Sequence, residues 1–253
     1  MTTVLFQMWR PFRESLVVAH RFYIEQAERR LLSQFEDIES EADRASEEWL
    51  EKNGRLFDPE RHDPADFYEA AYDAGIEFYQ LLDEMRDQTR LSVVAGMFHQ
   101  WDKQLRDWLV RETLNWHKGQ SVCAAIWKAN FDNIFDLLSG LGWNARAEDF
   151  FTKLDACRLV VNVYKHGDGP SFADLLARYP EYLDRSVSKM APRFGTEYVD
   201  HSHLRVSSQQ SREFSEAIVA FWRSVPENVL DSEVSEIPDW FEKAMIRDRD
   251  TPK

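Results

Sequence analysis

Cysteine is scarce in this chain: two residues, Cys123 and Cys157, in 253. Both sit in apolar text with no metal-ligand spacing. A disulfide framework and a cysteine metal site are therefore excluded, and buried reduced thiols in a cytoplasmic protein are expected. Glycine and proline are also few, nine of each. So few turn formers leave no room for many short strands, and a small number of long elements is expected. No apolar run approaches the roughly 18 to 20 residues that a membrane span needs. The opening MTTVLFQMWRPFRESL has no basic region followed by an apolar stretch, so no secretory signal is expected there. Positive charge is in deficit: 31 Lys and Arg face 45 Asp and Glu, a net −14. Such a surface repels nucleic acid at long range. A local basic groove is still allowed, because screening confines each charge to about 10 Å at moderate salt. No internal repeat and no low-complexity tract is present.

Bulky core material is plentiful, with nine Trp, eight Tyr and 17 Phe. Its spacing is helical. Residues 13–52 read as one long helix or a broken pair, through Leu16, Ala19, Phe22, Tyr23, Leu31, Leu32, Phe35 and Ile38. The acidic continuation over 36–51 suits either a solvated helix face or a docking surface for a basic partner. KNGRLFDPERHDPADF (52–67) is rich in turn formers. Asp63-Pro64 then opens a helix that runs to about Met85. Further helices are expected over 89–115, 121–139 and 146–166. Ser171–Arg178 suits a short helix. Partial alternation over 192–206 suits a strand or hairpin, and Ser207 opens a last strong helix that ends before Pro226. The fold class expected is all-α: a helical bundle over 61–230, an N-terminal helical extension over 1–60 and a C-terminal tail over 231–253, frayed from 247 onward.

The stretch CRLVVNVYKHGDGPS (157–171) carries the most chemistry. At 100° per residue, Arg158, Lys165, Asn162, Asp155 and His166 share a sector about 100° wide, opposite Ala156, Val160 and Val163. Gly167 supplies a stop and Pro170 prevents continuation. Lys165 and His166 thus fall in the last turn, where the helix dipole favours a cation. One use of this stripe is an ordinary solvent face. Another is phosphodiester chemistry. His166 would move a proton, Arg158 would hold phosphate oxygens, and Asn162 would orient. RNA brings its own nucleophile in the 2′-hydroxyl, so neither a metal nor a cofactor is needed. His201 and His203 beside Asp200 are a weak metal motif at best.

The Asn162-x-x-x-His166 pattern resembles the signature of the HEPN superfamily, helical domains that include many metal-independent ribonucleases of toxin–antitoxin and phage-defence systems. The strings FHQWDKQLRDWLVRE (98–112) and SREFSEAIVAFWRSVP (211–226) are similar to the neighbouring helices of that group, so the resemblance covers about residues 89–226. It implies an endoribonuclease with His166 as general acid or base. Arg158, helped by Lys165, would stabilise the phosphorane-like charge. Asn162 would orient, and Asp102 would hold His166. It also implies a homodimer with its cleft across the two-fold axis, RNA or a nucleotide as ligand, and a possible protein partner such as an antitoxin. One departure stands out. Where the signature has Arg next to the polar residue, this chain has Val161, and its Arg lies one turn earlier. The alternative implied by that shift is a non-catalytic HEPN-like module that binds a partner as scaffold or regulator, with the acidic 36–51 segment as its docking surface.

Overall fold

The computed structural model describes residues 3–184, 187 and 198–250. In chain order its elements are β1 (Val4–Gln7), α1 (Arg10–Arg30), α2 (Ile38–Asn53), α3 (Pro64–Trp116), α4 (Gln120–Lys128) and α5 (Phe131–Gly140). Then come α6 (Phe151–His166), α7 (Pro170–Arg178), α8 (Ser208–Ser224), β2 (Asn228–Leu230) and α9 (Asp239–Asp250). The all-α expectation holds in outline, with one small two-stranded sheet added.

Several boundaries differ from those expected, each for a local reason. The 13–52 region is a broken pair, α1 and α2, joined through a short 3-10 turn at Leu32–Phe35. The expected break near 86–88 does not occur, and α3 runs unbroken from Pro64 to Trp116. Residues 86–88 include no Gly or Pro, Arg90 bridges back to Asp87 at 2.9 Å, and Arg86 pairs with Asp83. The expected 121–139 helix is two. Ala129 is extended, and the Asn130 side chain accepts the Asn133 N–H at 2.8 Å, which caps a new start. Of the expected 192–206 strand or hairpin, 192–197 lie outside the described residues. His201–His203 form one 3-10 turn, and only Leu204 makes a β-bridge, to Leu183. The supposed tail contains α9.

The chain divides into two compact units, Glu25–Val93 and the remainder (Met1–Ile24 with Val94–Lys253). This division differs from 1–60, 61–230 and 231–253 because β1 and the first part of α1 belong with the C-terminal helices. β1 pairs antiparallel with β2, Phe6 opposite Val229 and Gln7 opposite Asn228. Trp108 on α3 donates its indole N–H to the Gln7 carbonyl at 3.1 Å, and the Gln7 N–H donates to Glu112 at 3.0 Å.

The larger unit is organised around Phe221 of α8. Trp101 meets it edge-on at 5.1 Å between ring centroids, with Trp143 at 5.3 Å and Phe150 at 5.6 Å. On α3, Val94, Met97, Trp101, Leu105 and Trp108 recur at three- and four-residue intervals and all are buried. Such edge-to-face pairs add about 0.5–1.5 kcal/mol each beyond area burial. α8 opens with a capping box: Ser207 Oγ accepts the Gln210 N–H at 3.2 Å, and Gln210 Oε1 accepts the Ser207 N–H at 2.8 Å. α9 caps α4 from outside. The Asp248 carboxylate accepts the N–H groups of Ser121 and Val122 at 2.7 and 3.0 Å and meets His117 Nε2 at 3.1 Å. Burial alone would raise this carboxyl, but those backbone donors hold it down at about 2. Gly119 makes this approach possible, since a Cβ there would collide with the Asp248 carboxylate.

His20 of α1 is 3% exposed, and its Nε2 lies 2.9 Å from Ser215 Oγ on α8. Burial lowers its pKa from 6.5 to about 4. The unfolded chain therefore takes up a proton that the folded chain refuses. The stability held by neutral His20 is complete above pH 6.5 and is lost as pH falls toward 4. Between pH 7 and 4.5, urea unfolding should show the wild type losing about 2–3 kcal/mol more than His20→Gln. Equal losses in the two proteins would refute a buried neutral imidazole.

Candidate functional site

Helix α6 presents the polar stripe because its other side is core. Leu154, Ala156, Cys157, Leu159, Val160, Val161 and Val163 are all buried. Both cysteines are free thiols. Cys157 is buried, which pushes its pKa upward, while Cys123 is half-buried and donates to the Gly119 carbonyl. The helix ends as the sequence requires. Gly167 has φ +70°, and its N–H closes on the Val163 carbonyl at 2.8 Å. A residue with a side chain would be strained there.

The five stripe residues do not act as one set. Asp155 is 2% exposed and anchors a buried knot. Arg158 reaches Asp155 Oδ1 through Nε at 3.0 Å and Nη2 at 2.6 Å. Arg178, from the end of α7, pairs with Oδ2, and the Tyr179 hydroxyl donates to the same oxygen at 3.0 Å. Burial first, and then the Asp155 carboxylate, raises the Tyr179 phenol. The Arg158 guanidinium also lies 5.0 Å from the centre of the Phe131 ring. Arg158 is thus engaged on its carboxylate edge and one face, with its side chain 17% exposed. Asn162 is half-buried, and its amide lies 3.4 Å from Ser171 Oγ. Lys165 and His166 are exposed, and His166 makes no side-chain hydrogen bond among the described residues.

Asp102 has a different task from the one the resemblance implies. Its two oxygens take the Arg106 guanidinium at 2.8 and 3.0 Å. Arg106 is buried, and its Nη1 also donates to the carbonyls of Ile126 at 2.7 Å and Ala129 at 2.8 Å. Together they close the C-terminal end of α4, where carbonyls lack helical partners. No hydrogen bond joins Asp102 to His166 among the described residues. The imidazole near Asp102 is that of His99, whose pKa is lowered by partial burial and then by the charge of Lys165. The charge of Lys165 on α6 thus acts on His99 of α3, a residue that sequence reasoning passed over. Its three-residue offset from Asp102 was the available signal. Arg178 and Tyr179 left no such signal, since only folding carries them to Asp155.

Beyond Gly167 the chain folds back on itself. Asp168 accepts the His201 N–H at 2.8 Å and meets His201 Nδ1 at 3.1 Å. His203 Nδ1 lies 3.2 Å from Asp200 Oδ1 in a separate capping contact. His201 and His203 therefore serve different carboxylates, and they lie on a 3-10 turn where a strand was expected. Among the described residues no three His, Cys, Asp or Glu side chains converge as metal ligands do, and no helix is long and apolar enough to cross a membrane. No family model, no curated protein and no solved structure matches this chain.

Proposed function

We propose that this chain works by binding a partner protein, as a non-catalytic helical module. The observation that supports this reading is the Asp155 knot. The guanidinium that would stabilise charge on a phosphate is already bound through Nε and Nη2 to a buried carboxylate, which it shares with Arg178. The carboxylate that would orient a catalytic imidazole is likewise held by Arg106. Electrostatic catalysis works through donors aimed at a developing charge, and here the donors on Nε and Nη2 of Arg158 are aimed at Asp155. On the HEPN-like interpretation, the module serves as a scaffold or regulator, for example in a toxin–antitoxin or phage-defence system.

A second reading, metal-independent RNA cleavage by 2′-hydroxyl attack, is favoured by one observation. His166 and Lys165 lie exposed at the end of α6, with Asn162 one turn back. The test is incubation of the purified chain with total RNA and tRNA in EDTA, beside His166→Ala. Intact RNA in every lane is the expected result. Fragments with cyclic-phosphate ends, absent with His166→Ala, would overturn the binding-module reading.

A further inference from the structure

The smaller unit, Glu25–Val93, carries a charge unlike the rest of the chain. It holds 20 Asp and Glu against eight Lys and Arg, a net −12 of the whole chain's −14. Within it, α2 and the first part of α3 touch at small residues. A Cβ on Gly75 would lie 3.0 Å from the Ala42 carbonyl and 3.2 Å from Ser46 Cβ, and Ser46 Oγ donates to the Ala71 carbonyl at 2.6 Å. The large side chains stand to one side of this contact. Tyr68, Tyr72, Ile76 and Tyr79 follow at four-, four- and three-residue steps along one face of α3. Tyr68 and Tyr72 are 67% and 66% exposed, and Ile76 is 39% exposed. Tyr72, Ile76 and Tyr79 form the apolar wall of a groove of about 210 Å³ floored by Ala42 and Gly75. Glu39 and Asp43 form its other lip, and Asp73 and Glu77, next in sequence to Tyr72 and Ile76, are exposed. Among the described residues none of these four carboxylates has a cationic partner.

We infer that this groove docks a basic amphipathic helix from a partner protein, with one apolar side chain set against Tyr72 and Ile76 and its Lys or Arg residues over the acidic lips. The inference rests on the binding-module reading and names its surface. An apolar stripe rimmed by unpaired charge of one sign is the pattern of a helix-in-groove site. The charge selects the occupant. A second copy would bring another −12 against the first, and nucleic acid or an anionic lipid surface is repelled in the same way. A basic helix gains at both points: attraction speeds encounter, and the anchor slows departure.

The test uses the full chain and two labelled synthetic helical peptides, one of Leu and Lys and one of Ala and Lys with equal charge. Fluorescence anisotropy should show the Leu/Lys peptide binding at least about tenfold more tightly, with affinity falling as salt rises. The double variant Tyr72→Ala, Ile76→Ala should lose that preference yet keep the weak salt-sensitive binding of the Ala/Lys peptide. Glu39→Gln with Asp43→Asn should weaken both peptides. All four positions are exposed or line the surface, and circular dichroism of each variant should match the wild type. Equal binding of the two peptides, or an unchanged preference in the Tyr72/Ile76 variant, would overturn the assignment. So would self-association of the wild type that this variant abolishes, since the occupant would then be a second copy. Failure here with RNA left intact would remove the groove assignment alone. His166-dependent cleavage of RNA would remove the reading beneath it.

Discussion

Asp155→Asn should lower the unfolding free energy by about 3–5 kcal/mol, the cost typical of removing one partner from a buried charge cluster. The substitution keeps the volume and removes the charge. Arg158 then remains mostly buried with its two hydrogen bonds to Oδ1 weakened, and the Tyr179 hydroxyl loses a charged acceptor. Urea unfolding followed by circular dichroism measures the loss. Arg178→Ala should cost far less, about 0.5–1 kcal/mol, because that side chain is 47% exposed and Arg158 still neutralises Asp155. A small effect of Asp155→Asn, similar to that of Arg178→Ala, would mean the knot is dispensable and Arg158 is free for other work. The same logic governs any assay of Arg158→Ala. A lost activity in that variant counts as chemistry only if its stability is measured beside it.

Arg106→Leu should cost about 3 kcal/mol, the second largest effect expected. One buried guanidinium serves both Asp102 and the carbonyls of Ile126 and Ala129, so its removal strips acceptors at the end of α4 and leaves Asp102 unpaired. Asp102→Asn should cost only about 1 kcal/mol, because Asp102 is partly exposed and Arg106 keeps its carbonyl partners. The ratio is diagnostic. If Asp102→Asn were the costlier change, the capping role assigned to Arg106 would be wrong. Hydrogen exchange adds a local readout: amides of α4 should lose protection in Arg106→Leu before those of α8 do.

The acidic unit shows how much of this molecule is electrostatic in origin and visible early. The run of Asp and Glu over 36–51 marked a docking candidate at once, since charge is carried by residue type and needs no fold to be counted. Its apolar counterpart was not visible. Tyr72 and Ile76 carry no mark of exposure in their residue type, and only the fold shows them exposed beside the close contact of Gly75 with Ala42. A similar limit applied to α3. The turn formers at 52–67 announced its start, because Asp63-Pro64 is local chemistry. Its unbroken course past Arg86 depended on Asp83 and Asp87 meeting arginines one turn away.

The polar stripe on α6 divides along the same line. Helical phase alone placed Arg158, Asn162, Lys165 and His166 on one side, and Gly167 alone marked the stop; both follow from backbone geometry that neighbours do not alter. Which of those groups is free was decided by residues far along the chain. Arg178 and Tyr179 arrive from the end of α7 to complete the knot on Asp155, and Arg106 takes Asp102 away from any imidazole. The sequence by itself determined the helical character, the amphipathic face of α6 and the charge of each segment, because these depend on residue type and on contacts within a turn or two. Only the tertiary structure decided which polar groups are spent on one another, because a buried charge takes whichever partner the packing brings within reach.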